Sequence, residues 1–114
     1  MEFLALIHGS ENGWNELSGD ERQAVYQRYM KLSERPEVVG GAELQETTTA
    51  TTVRVRNGDS MVTDGPYAEV KEALGGFFIL EADSIDDACK LAAEIPAAEH
   101  GAIEVRPVVV REES

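Results

Sequence analysis

Residues 75–96 read "GGFFILEADSIDDACKLAAEIP". The run Phe77 to Leu80 is apolar at every position, and a strand that is greasy on both alternations must be covered on both sides. A polar break follows, in which Ser84 precedes Asp87 by three residues, the spacing of a capping box that opens a helix. Beyond it Ile85, Ala88, Leu91, Ala92 and Ile95 recur at helical intervals until Pro96 stops the pattern. A strand over Gly75 to Ala82 thus feeds an amphipathic helix.

The rest of the chain repeats this arrangement. Phe3 to Ile7 in "MEFLALIHG" is another short apolar strand, ended by the polar "GSENG". Ser18 and Glu21 form a capping box, and Val25, Tyr29 and Leu32 trace a helical stripe, so a helix is predicted from Gly19 to Glu34, before Pro36. After Gly101, "AIEVRPVVV" is a closing strand in which Glu104 and Arg106 alternate with Ile103 and Val105. Val38 to Thr52 is rich in β-branched residues but irregular in period, which favours extended structure without defining it. Asn57-Gly58 lies between "VRVR" and "DSMVT", and a type I′ turn needs positive φ at both central residues. The hairpin pairs Arg56 with Asp59 and puts Val53, Val55 and Val62 on one face, read as core-facing, with Arg54 and Met61 on the other.

The predicted order is therefore β-α-β, a hairpin, then β-α-β, in a single domain over residues 1–110 with a frayed acidic tail at 111–114. The fold class is α+β: a ferredoxin-like antiparallel sheet with two helices on one face. The second face of such a sheet is bare. Assigning Leu4, Leu6, Phe78 and Leu80 to it gives an apolar patch of the kind that drives association, so a homodimer is expected.

Ten Lys and Arg stand against 22 Asp and Glu, a formal net charge of −12. Arg54, Arg56, Arg106 and Arg111 are scattered, so neither nucleic acid nor an anionic membrane is expected as a partner. The lone Cys89 allows no intramolecular disulfide and no thiolate zinc cluster. The opening segment lacks the features of a secretory signal, and no stretch reaches the length of a membrane span. A soluble cytoplasmic protein is the expectation.

The segment "DGPYAEVKEALGGFFILEADSIDDACKLAAEIP", with "HGAIEVRPV" after it and "ATTVRVRNG" before it, resembles the DGPF branch of the YCII-related family. The likeness spans roughly Met1 to Val108, with Tyr67 in place of the usual Phe. It implies a dimeric α/β barrel, two ferredoxin-like sheets facing each other with a cavity in or beside each sheet. Relatives in the wider superfamily include a dehydrochlorinase and aromatic-degrading lyases or monooxygenases that work without metal or prosthetic group. The resemblance also suggests a link to extracytoplasmic-function sigma factors, and hence a non-enzymatic regulatory or protein-binding module as the alternative. The YCII branch is associated with a histidine–aspartate pair whose histidine lies in the first helix. Here the histidines are His8, ending the first strand, and His100, in the turn before the last, so that pair does not carry over.

The candidate site residues follow from these placements. His8 shares an alternation with Leu4 and Leu6 and points to the bare face, where an imidazole can serve as acid or base; a packed interface histidine is the plainer reading. Asp64 is the other candidate catalytic group, although in "DGPY" it can simply cap a loop in which Gly65 takes a conformation closed to other residues and Pro66 starts a helical turn. That turn would bring Asp64, Glu69, Lys71 and Glu72 together, making Tyr67, Glu69 and Lys71 candidate ligand-binding residues. Glu104 and Arg106 would join them on the inner face of the last strand, or form an ordinary surface pair on the outer. Gly75 and Gly76 read as a bulge. No phosphate-loop spacing occurs, no cofactor is implied, and two distant histidines give no metal site. Together these features predict a cofactor-free dimer that binds a small organic molecule, with lyase chemistry if it is an enzyme.

Overall fold

The computed structural model describes residues 1–112, so Glu113 and Ser114 of the expected tail lie outside the described residues. Six strands are joined by three α-helices and two short 3-10 turns. Strands β1 (Glu2–Gly9), β2 (Val38–Glu43), β5 (Ala73–Glu81) and β6 (Ala102–Pro107) form one antiparallel sheet in the order β2-β5-β1-β6. Strands β3 (Thr51–Arg56) and β4 (Asp59–Asp64) form a separate hairpin inserted between β2 and β5. Removing that insert leaves the ferredoxin-like α+β order predicted from the sequence.

Helix α2 (Gly19–Ser33) starts where predicted. The Ser18 hydroxyl accepts from the Glu21 backbone N–H at 3.1 Å, and the Glu21 carboxylate accepts from the Ser18 N–H at 3.0 Å, satisfying two orphan donors reciprocally. These bonds hold the Glu21 carboxyl below its ordinary range. Ser18→Ala is expected to lower stability by about 1 kcal/mol, measured by urea denaturation. Helix α3 (Ile85–Ala92) is capped by Ser84, whose hydroxyl accepts from the Asp87 N–H at 3.1 Å, without the reciprocal bond. It ends before the predicted proline, which instead opens a 3-10 turn at Pro96–Glu99. A five-residue helix, α1 (Glu11–Asn15), is additional to the two predicted. Its Trp14 ring meets Tyr26 of α2 edge-on at 5.2 Å and carries the Arg22 guanidinium over it.

Both helices α2 and α3 cover the same face of the sheet. Phe3, Ala5 and Leu80 from the strands pack with Leu32 of α2, with Ala88, Leu91 and Ala92 of α3, and with Ile95 just beyond it. Tyr29 stacks on Phe78 at the margin, where burial pushes its phenol pKa up. Three ion pairs tie the helical layer together: Arg28 of α2 grips Glu99 with two bonds of 2.9 Å, and Arg35 reaches both Glu94 and Glu37. The hydrogen bonds from Arg28 hold the Glu99 carboxyl below the usual carboxylate range.

The register corrects one expectation. Phe3 pairs with Leu80 and Ala5 with Phe78, so Phe78 and Leu80 face the helices, not the bare side. The residues opposite Leu4 and Leu6 are Ile79 and Phe77. Antiparallel partners share a face, and counting parity along one strand cannot reveal which residue of the other lies opposite. The bare face is thus floored by Leu4, Leu6, Phe77 and Ile79, all half-buried.

The hairpin has the predicted geometry, with Asn57 at φ 53° and Gly58 at φ 81° and Val53 opposite Val62. Its environment differs from the prediction. The valine face is no part of the core: Val53, Val55 and Val62 are 62%, 59% and 67% exposed. Between β2 and the hairpin, Thr47–Thr49 form a 3-10 turn instead of extended chain, because Glu11 of α1 accepts from both the backbone N–H and the hydroxyl of Thr47.

Candidate functional site

The strands bring three of the predicted residues to the bare face of the sheet. Leu4 lies opposite Arg106 and Leu6 opposite Glu104, so both polar residues of β6 share that face while Ile103 and Val105 pack toward the helices. His8 follows two residues after Leu6. Its Nε2 lies 3.6 Å from Oε1 of Glu104, with a third of the imidazole accessible. The ring sits beside a bulge: Ile7 pairs with Gly76 but His8 with Leu74, leaving Gly75 as the extra residue. Gly76 is needed for a different reason, since a Cβ there would lie 2.7 Å from the Ala42 carbonyl oxygen on β2. The Arg106 side chain makes no hydrogen bond or ion pair among the described residues. An apolar floor is therefore bordered by an imidazole, a carboxylate and a guanidinium.

The "DGPY" segment is arranged differently from the expectation. Gly65 has φ 101°, as predicted, and its backbone is fastened to β3: its N–H donates to the Ala50 carbonyl and its own carbonyl accepts from the Thr52 hydroxyl, both at 2.7 Å. No helical turn follows. Residues 65–72 form an exposed, bent connection, so Asp64, Glu69, Lys71 and Glu72 are not gathered on one turn. With its N–H on Ala50 and its carbonyl taken by the Thr52 hydroxyl, Gly65 has no backbone group left to join a helical turn begun at Pro66. Tyr67 is 80% exposed. No hydrogen bond or ion pair links the side chains of Asp64, Tyr67, Glu69 or Lys71 to His8, Glu104 or Arg106 among the described residues.

Two shallow, open hollows lie elsewhere among the described residues. One, of about 370 Å³, is bordered by Arg35, Glu37, Asp83, Asp87, Lys90 and Glu94 at the edge of the helical layer. The other, of about 190 Å³, lies between α3 and β6 against Cys89, Ala93, Ile103 and Val105. Neither contains a predicted site residue, so the predicted chamber flanked by "DGPY" and the last strand is not among them. Among the described residues no three His, Cys, Asp or Glu side chains are grouped to hold a metal ion. No helix among them is long and apolar enough to cross a membrane.

The floor residues Phe77 and Ile79 escaped the sequence reading. Which alternation of Phe77 to Leu80 faces the helices is set by its unbroken register with Phe3 to Leu6 of β1, and no residue of β5 itself signals that register.

Comparison with known proteins agrees with this architecture. A protein of Rhizobium meliloti (strain 1021), described as uncharacterized, is 33% identical over 117 residues, covering 96% of this chain and 94% of that one. The sequence profile of the YCII-related domain matches residues 1–112, the whole described structure. The chain thus belongs to the YCII-related domain family.

Proposed function

We propose that this protein binds a small organic molecule on the bare face of its sheet, with a second copy of the chain closing the chamber. The observation that carries this reading is the side-by-side placement of His8, Glu104 and Arg106 at the border of the floor formed by Leu4, Leu6, Phe77 and Ile79. Ligand sites combine such a largely apolar lining with a few convergent polar groups. A carboxylated or hydroxylated aromatic compound matches both halves: its ring covers the floor and its oxygens meet Arg106. A guanidinium can take a carboxylate or phenolate with two parallel hydrogen bonds. His8, steadied by Glu104, is then positioned to remove or return a proton on the bound molecule. This places the DGPF-type expectation of cofactor-free elimination or proton transfer in named groups of this chain, by analogy of fold.

The test is a thermal-shift screen of small aromatic acids and phenols, followed by titration calorimetry. At least one compound is expected to raise Tm, with the shift growing with ligand concentration as linkage requires. Arg106→Ala should weaken that compound roughly 10- to 100-fold, the effect of losing a charge-assisted pair, without lowering Tm of the free protein. A panel that never shifts Tm, or an affinity indifferent to Arg106, would refute the assignment.

A further inference from the structure

Among the described residues the β3–β4 hairpin packs appreciably on no other strand or helix. It leaves a flat, spread outline of 49 × 46 × 19 Å and a radius of gyration of 16.4 Å, where a compact chain of this length has about 13 Å. The accessible surface is 8486 Å², against roughly 6,100 Å² for a folded monomer of this mass. The surplus of roughly 2,400 Å² is in the range that one protomer gives up in an obligate dimer. The bare sheet face cannot account for it alone. Four strands of about six residues span roughly 20 × 19 Å, a projected patch near 400 Å². Residues 51–72 are exposed almost throughout, as are residues 108–112.

We propose that the hairpin is an exchanged arm, which lays its Val53, Val55 and Val62 face over the bare sheet face of a second copy of this chain. Resting on the open-face reading above, this assigns to the partner's arm the part of the lid that the single chain lacks. The occupant is a second copy because one two-fold pairing covers both unmatched surfaces at once, the valine face and the Leu4, Leu6, Phe77, Ile79 floor. Charge favours the same contact. The hairpin is formally neutral, Arg54 and Arg56 balancing Asp59 and Asp64, while the chain as a whole carries −12. Two such acidic bodies repel least where an arm without net charge meets an apolar floor. Asp64 shares the alternation of Val62 and therefore faces the same partner surface.

Two measurements decide it. In sedimentation at micromolar concentration the wild type is expected to be a dimer, and Val53→Asp with Val62→Asp should raise its dissociation constant at least about 100-fold, as buried unpaired charge at an interface centre does. Far-UV circular dichroism should keep the helical signal, because the hairpin lies outside the core. In the second, a nitroxide on Ser60→Cys in a Cys89→Ser background is mixed with isotope-labelled wild type; amides of Leu6 and Phe77 in the labelled copy should broaden. A monomeric wild type, a dimer indifferent to the two aspartates, or unbroadened floor amides would each overturn the arm. A hairpin-dependent dimer that binds no member of the aromatic panel would overturn the ligand reading and leave the arm intact.

Discussion

Phe3→Ala is expected to lower the unfolding free energy by about 3–5 kcal/mol, the cost of deleting a fully buried aromatic side chain. The ring is 1% exposed, lies across from Leu80 on β5 and Pro107 on β6, and sits where both helices meet the sheet. Few residues share its burden. Of the eight buried residues in the core cluster, Ala5, Ala88 and Ala92 contribute little more than a methyl group each. A domain of this size has roughly 5–10 kcal/mol in total, so the loss takes a large part of the margin. Urea denaturation at fixed protein concentration should show a lower midpoint with an unchanged slope, and Phe3→Leu should lose about 1–1.5 kcal/mol. A change below about 1 kcal/mol for the alanine variant would mean that the cluster is not the core.

Gly101→Ala comes next, with an expected loss of about 2–3 kcal/mol from overpacking. The added methyl would overlap the His8 carbonyl oxygen and come within 3.0 Å of the Gly9 Cα. These are backbone atoms of a paired strand, so relief requires β6 to part from β1 where the two strands carry Glu104 and His8. The variant should therefore lose stability and also shift the His8 ring resonances in NMR spectra. Gly19→Ala is the control. Nothing lies within 4 Å of its added methyl, and it occupies the first turn of α2, so it should be neutral or stabilising by up to about 1 kcal/mol. Equal effects at the two glycines would remove the steric argument.

The elements that could be read in advance are those decided within a few residues. Ser18 and Glu21 announce the start of α2 because both partners of the capping box lie in one turn, and the observed bonds are the reciprocal pair. Asn57-Gly58 announces its hairpin because positive φ is an intrinsic preference of those residues. The readings that failed needed a distant partner. Thr47–Thr49 became a 3-10 turn through Glu11, far away in sequence. The extended structure expected after Val38 is present as β2, and its irregular period comes from a bulge between Val38 and Gly40. "DGPY" lost its helical turn to bonds with Ala50 and Thr52 on the neighbouring strand.

What the sequence by itself determined is the main strands, the two capped helices, their α+β order and the family, since periodicity, caps and turn residues act locally and the "DGPYAEVKEALGG" segment is long enough to be specific. What only the tertiary structure decided is which side of each strand faces which neighbour. Pairing with β1 put Phe77 and Ile79 on the bare face and sent Phe78 and Leu80 to the helices, set His8 beside Glu104, and left the valines of the hairpin without cover. The reason is geometric. Side chains alternate along a strand with period two, so a shift of one residue between distant strands exchanges the faces, and that register is not encoded in the local pattern.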